Sequence, residues 1–182
     1  MNYFMADVSN PTAAGIRSMP DGFVAVAGYI GGDTPHVWTA AEWAYFDGWR
    51  KLPVWVRTKD DSPQDGAADG WAAIEALHSI GVPGRGPAQG TPVALDLETY
   101  QDPAYVSAFA GVVEWAGFPV YPYGSASTVR GNPQCWGWWA ADWTNTEHLL
   151  PWSTATQYQA AGTDPFDKSQ LSLSCFRQLT WI

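Results

Sequence analysis

An α/β fold, a (β/α)8 TIM-like barrel with some of its helices reduced, is what this sequence predicts. Three observations predict it. Short apolar runs recur about eight times along the chain. Several are separated by segments with helical spacing and cap signals, the alternation that builds a parallel sheet with helical crossovers. The chain has 182 residues, whereas such barrels typically use ~250, so some crossovers must shrink to turns. A doubly wound open sheet is the alternative that the same alternation allows. Residues 1–182 are read as one domain.

Taken in order, Tyr3 to Val8 is a short strand ending near Asp7, and Ser9-Asn10-Pro11 is a turn. Phe23 to Ile30 is the second apolar run. Thr39-Ala40-Ala41-Glu42 has the spacing of a capping box, which starts a helix carrying Trp43 and Phe46. Pro53 to Arg57 is the third strand, and Thr58 to Gly66, with Asp60 and Asp61, is a polar loop. Ala67, Trp71, Ile74 and Leu77 fall at helical spacing, with Gly81 as the stop. Gly84 to Gly90 is glycine-rich, but it precedes a strand and contains Pro87, so it is a connector rather than a phosphate cradle. Pro92 to Tyr100 holds the fourth strand. Asp102-Pro103 then caps a helix whose apolar face is Val106, Phe109, Val112 and Val113. Phe118 to Tyr123, Trp136 to Ala141 and Thr154 to Gln159 are strands five to seven, and Asp164 to Leu173 holds a last strand or the start of a helix. In Trp136 to Ala141, alternation puts Trp136 and Trp138 on one face and Trp139 on the other, so at least one is core.

Composition excludes some functions. At 46% hydrophobic and 15% charged residues the chain is globular. Its formal charge of −9, without a Lys/Arg cluster, argues against nucleic acid and gives no affinity for an anionic membrane surface. No stretch approaches the ~18 apolar residues of a membrane span. Met1 to Asp7 lacks the features of a signal peptide. The protein then stays in the cell, leaves by another route or has lost a leader, and its location is open. Cys135 and Cys175 read as buried thiols, with pairing open. His36, His78 and His148 have no ligand spacing, which speaks against zinc. No metal and no cofactor is expected, although oxygen ligands at Asp7, Asp96, Glu98 and Asp142 would suit calcium or magnesium.

Chemistry gathers at strand ends. Asp96 and Glu98 lie two positions apart, which on a strand gives one face to both carboxylates and the other to Leu95 and Leu97. Asp7 ends the first strand and Asp142 the sixth. In a parallel barrel all these ends open on the same face, so four carboxylates from three strands would converge there. Tyr123 and Trp143 follow strands five and six, and Gln157 and Tyr158 lie on the seventh. Aromatic faces beside acids suit a sugar: rings stack on pyranoses, while the acids protonate the leaving oxygen and steady the oxocarbenium-like charge. Crowded carboxylates also hold one another's protons. Ser125 lacks the nucleophile-elbow pattern and reads as a helix cap.

The chain resembles glycoside hydrolase family 25, the lysozyme-like N-acetylmuramidases of bacteria and phages. The resemblance rests on Ala6-Asp7-Val8-Ser9, Leu95-Asp96-Leu97-Glu98, Tyr123-Gly124-Ser125, Trp139-Ala140-Ala141-Asp142-Trp143 and Gln157-Tyr158, in that order. Tyr29-Ile30-Gly31-Gly32, Gly48-Trp49-Arg50 and Leu52-Pro53-Val54-Trp55-Val56 are more similar to a neighbouring glycoside-hydrolase-like domain of unknown function, common in actinobacteria and their phages. The resemblance implies an eight-stranded barrel acting on the β-1,4 bonds of peptidoglycan. It makes Glu98 the general acid, Asp96 its partner (stabilising charge or orienting the substrate acetamido group) and Asp7 an auxiliary acid. Tyr29, Tyr123, Asp142, Trp143 and Gln157 are carried as substrate-binding residues. The acid expected after the last strand is Asp167, with Asp164 the rival. The sequence departs from the family where Thr156 precedes Gln157-Tyr158, a position often held by Trp. The partner implied is bacterial cell-wall glycan. The alternative is a non-catalytic glycan-binding or structural barrel, such as a phage tail or capsid component among virion proteins. An unrelated small-molecule function on the same fold is the third reading.

Overall fold

The computed structural model describes residues 2–12, 19–58, 62–85, 90–98, 100, 102–133, 135–162 and 165–179. Eight strands follow one another around a closed barrel in chain order. They are β1 (Tyr3–Asp7), β2 (Phe23–Gly32), β3 (Arg50–Val56), β4 (Val93–Asp96), β5 (Val120–Ser125), β6 (Trp139–Ala141), β7 (Ala155–Gln159) and β8 (Asp167–Leu171). Among the described residues the helices are α1 (Ala40–Ala44), α2 (Pro63–Ser79), α3 (Pro103–Trp115), α4 (Ala126–Gly131) and α5 (Leu173–Gln178). The barrel expected from the sequence is present, and closure excludes the open sheet. Asp60, Asp61, Asp164 and the Gly86–Gln89 part of the connector lie outside the described residues.

One expectation needs correction. The barrel is not wholly parallel: β8 runs antiparallel to both β7 and β1. Parallel neighbours need a crossover of roughly a dozen residues or more, and only residues 160–166 separate β7 from β8. So short a link can only turn the chain back. The final run resolves into both readings, a strand to Leu171 and a helix capped by the Ser172 side chain.

Strand parity divides the core in two. Met5, Ala25, Ala27, Leu52, Val54, Ala94, Tyr121, Trp139, Ala155 and Leu171 fill the barrel interior. The small side chains Ala25 and Ala27 share this interior with the bulky rings of Tyr121 and Trp139. The opposite parity, including Val26, Trp55, Val93 and Leu95, packs beneath α2 and α3 with Ile74, Leu77, Val106 and Phe109. Gly66 and Gly70, one helical turn apart on α2, let the two helices approach closely. A Cβ on Gly66 would stand 2.4 Å from the Tyr105 carbonyl oxygen. Even an alanine there would push the helices apart.

Local signals place most helices. Thr39 and Glu42 form the expected capping box, but α1 ends at Ala44, before Phe46. A second box, Ser62 with Asp65, starts α2 four residues before Ala67, inside what reads as loop. Asp102 caps α3 and Ser125 caps α4, each side chain accepting a hydrogen bond from the backbone N–H three residues on. The Trp run is shorter as a strand than its sequence predicts. Only Trp139 is in β6, wholly buried, with its indole N–H donating to Ser169 Oγ at 3.1 Å. Both cysteines are free thiols, pushed up to about 12 chiefly by burial. No described helix is long and apolar enough to cross a membrane.

Candidate active site

The parity that fills the barrel with apolar side chains also decides what stands at its mouth. Two residues beyond Met5 is Asp7, beyond Ala94 is Asp96, beyond Tyr121 is Tyr123 and beyond Ala155 is Gln157. Because β8 runs the other way, stepping back from Leu171 through Ser169 ends at Asp167, which pairs with Asp7 in the β1–β8 ladder. Asp167 therefore opens the last strand rather than following it. The interior thus carries a polar top layer over an apolar filling.

Gln157 ties one side of that layer together. Its Nε2 donates to Asp7 Oδ2 at 3.2 Å and to Asp167 Oδ2 at 2.9 Å, and its Oε1 accepts from the Tyr123 hydroxyl. Asp167 Oδ1 also accepts from the Ala161 N–H. Burial first, and then the negative charges of Asp167 and Asp96, raise Asp7 well above the usual carboxylate range, with Tyr29 and Gln157 offsetting part of this. Asp167 is raised as well, mainly by burial. Burial and the surrounding acids push the Tyr29 and Tyr123 phenols up, so both remain protonated donors.

The Asp96–Glu98 pair is arranged differently from the strand alternation predicted. β4 stops at Asp96, and Glu98 takes a left-handed backbone, φ +53°. Such a conformation is uncommon for a residue with a side chain and persists where its surroundings over-determine it. Here the Glu98 N–H donates to Asp96 Oδ1 at 3.1 Å, while its carbonyl accepts from the Ser125 N–H at 3.1 Å. Gly124 permits that docking, since a Cβ there would lie 2.4 Å from the Glu98 oxygen. The outcome is an exposed Glu98 beside an Asp96 only 5% exposed. Leu95 and Leu97 bury on the opposite side, as expected. Burial, then the Glu98 charge, pushes Asp96 up to about 7.

Two cavities open on these acids. The larger, about 340 Å³, is bordered by Asp33, Arg57, Asp96, Glu98 and Tyr100. The smaller, about 60 Å³, is bordered by Asp7 and Asp167. Tyr29 borders both. Asp142, expected among the converging acids, lines neither. It sits just past β6, where His148 Nε2 meets its Oδ2 at 3.0 Å. Trp143 beside it is half exposed. The acids that influence one another are thus Asp7, Asp96, Glu98 and Asp167. Among the described residues no three His, Cys, Asp or Glu side chains form a group that could hold a metal ion. Arg57 and Tyr100 were not singled out by sequence. Arg57 directly follows the apolar end of β3, Pro53-Val54-Trp55-Val56, so a cation at a strand end was the signal available.

The barrel is similar in fold to solved structures of lysozymes and muramidases. An uncharacterised protein of B. stearothermophilus superposes with a TM-score of 0.77 at 13% identity, over 98% of this chain and 100% of that one. The autolysin LytC of Streptococcus pneumoniae, in complex with a synthetic peptidoglycan ligand, gives 0.69 at 14% identity, over 94% of this chain and 47% of that longer one. The lysozyme of Streptomyces coelicolor gives 0.63 at 16% identity, over 97% and 98%. No protein-family profile matches the sequence, and neither does any curated protein sequence. At these identities the likeness establishes the fold.

Proposed function

We propose that this protein is a glycoside hydrolase of bacterial peptidoglycan, an N-acetylmuramidase cleaving the β-1,4 bond between N-acetylmuramic acid and N-acetylglucosamine. The observation that carries the reading is an exposed Glu98 beside a buried Asp96 that keeps its proton to about pH 7. The pair stands at the mouth of a barrel whose structural neighbours include a lysozyme and an autolysin holding a peptidoglycan ligand. Of the two carboxyls only Glu98 is exposed to a substrate, so it is the general acid. It protonates the glycosidic oxygen as the C1–O bond breaks, and water completes the cleavage at C1. Asp96 is the partner, orienting the acetamido group while it holds its proton and stabilising the developing positive charge once ionised. Asp7 is an auxiliary acid, Tyr29 and Asp167 border the substrate, and Tyr123 and Gln157 hold the buried acids in place. Asp142 and Trp143 meet only a glycan that extends past both cavities.

The test is release of reducing ends from bacterial cell walls, with zymography alongside. Wild type is expected to clear the wall, and Glu98→Gln to lose clearing while unfolding at the same temperature. If wild type releases no reducing ends from any wall preparation, the proposal fails.

A further inference from the structure

Tyr100 is an exposed residue held as firmly as a buried one. Its N–H donates to the Leu97 carbonyl at 2.8 Å, and its own carbonyl accepts from Asn132 Nδ2 at 3.2 Å. The Arg57 guanidinium lies 4.4 Å from the centre of its ring. Arg57 is itself fixed: its side chain is 4% exposed, it meets Asp102 Oδ2 at 3.4 Å, and it stands 5.2 Å from the Tyr105 ring. Asn132 also accepts from the Asp102 N–H at 3.1 Å. Tyr100 is therefore anchored from several sides, yet it remains 56% exposed on the wall of the larger cavity, two residues beyond Glu98.

An aromatic ring that serves packing is covered, and one that merely shields a cation needs no fixed backbone. A ring held still and left open has already lost the freedom that ligand binding would remove. The other borders of this cavity narrow the ligand class. Asp33, Asp96 and Glu98 disfavour a phosphate or another anion, but carboxylates accept readily from hydroxyl and amide N–H groups. A neutral ligand with C–H bonds on one face and hydroxyls on its edge satisfies both demands. We infer that Tyr100 is a stacking platform for an N-acetylhexosamine ring of the glycan, on the same cavity wall as Glu98, and that Arg57 is its positioning residue. The inference rests on the glycan-directed reading of the site.

Binding of chitotetraose, a neutral N-acetylglucosamine tetramer, tests it by calorimetry in a Glu98→Gln background, where the ligand is not consumed. Replacing Tyr100 by Ala is expected to weaken binding roughly tenfold, the scale of one lost ring contact. Tyr100→Phe and Tyr100→Trp should keep affinity within about twofold, because stacking needs the ring and not the hydroxyl. Arg57→Gln should weaken binding about threefold through a loosened ring, with Arg57→Lys recovering part of the loss. Unfolding temperatures are measured for each, and the Phe and Trp variants keep the proposal decidable should Tyr100→Ala not fold. Unchanged affinity in Tyr100→Ala, a loss in Tyr100→Phe equal to that in Tyr100→Ala, or no saturable binding by the parent overturns it. Because turnover is absent from the measurement, failure of the hydrolytic reading leaves this outcome separately readable.

Discussion

The two sides of the barrel mouth bury carboxylates by different means. At the end of β4, Asp96 receives the backbone N–H of Glu98 and has that residue's exposed carboxyl as its neighbour. Across Tyr29, Asp7 and Asp167 share the amide of Gln157, whose own oxygen is capped by Tyr123. The Asp96 side is backed by α2 and α3 packed on the sheet, the other by an antiparallel pair. A bridged pair spends its charges on an amide and is held in place. An under-bridged carboxyl beside an open cavity, here Asp96 next to Glu98, is left able to meet a ligand. On the proposed reading the site therefore has a reactive flank and a bracing flank, although both are acidic.

Substitutions on each flank should differ in kind. The largest effect is expected for Glu98→Gln, a fall in wall-hydrolysis rate of roughly 10²–10⁴ with an unchanged unfolding temperature. On the bracing flank, Gln157→Leu should act mainly on stability. It leaves buried carboxylates without their donor and is expected to cost about 2–4 kcal/mol at pH 8, by denaturant unfolding. The cost should shrink as pH falls, because burial and the neighbouring acids favour the protonated form of Asp7. If Gln157→Leu instead leaves stability intact and abolishes turnover, the division into flanks is wrong.

Titration sharpens the same contrast. Asp96 ordinarily ionises near 3.8 and is held up to about 7 in the folded protein, so between those values the folded chain binds more protons than the unfolded one. Raising pH through that window must then destabilise the fold, and Asp96→Asn should stabilise it by about 1–3 kcal/mol at pH 8 while lowering activity. Activity should fall as pH rises past about 7, when Asp96 loses its proton. A rate still climbing at pH 9 counts against a role for the protonated Asp96. The smallest effect is expected for Asp142→Asn, which loosens the His148 contact outside both cavities. A change in kcat/KM below about threefold on short oligosaccharides would fit.

What could be read from the sequence was whatever local chemistry encodes. Thr39 with Glu42, Asp102-Pro103 and Ser125 announced their helices because a cap is a hydrogen bond over three residues. The apolar run before Asp96 likewise announced a buried strand. Glu98 was visible as an acid near a strand end, but its left-handed backbone was not. That conformation is imposed by Ser125 and Gly124, from another strand. Nor could the direction of β8 be read from Asp167-Lys168-Ser169-Gln170-Leu171, a polar strand whose orientation follows from its short link to β7. Strand ends announced Asp142 as a converging acid, whereas Asp167 was expected only from the family resemblance. Only the pairing of β1 with β8 brings Asp167 to the centre and leaves Asp142 beside His148. The bridge by Gln157 spans 150 positions and leaves no local trace.

The returning strand also sets an order of assembly. Asp7 and Asp167 face each other across the seam that closes the barrel, about 160 positions apart in the chain. Contacts so distant in sequence form late, after the loop-closure entropy has been overcome. Until β8 docks, β1 and β7 both present unpaired edges, the kind of surface on which chains join one another. Nor can Gln157 bridge its two carboxylates before that moment. The seam therefore works as a checkpoint: a chain whose barrel has not closed lacks the acidic floor of its site and exposes sticky edges instead. Slow refolding, with hydrolysis returning only in the last kinetic phase, is how that checkpoint should look in a stopped-flow cell.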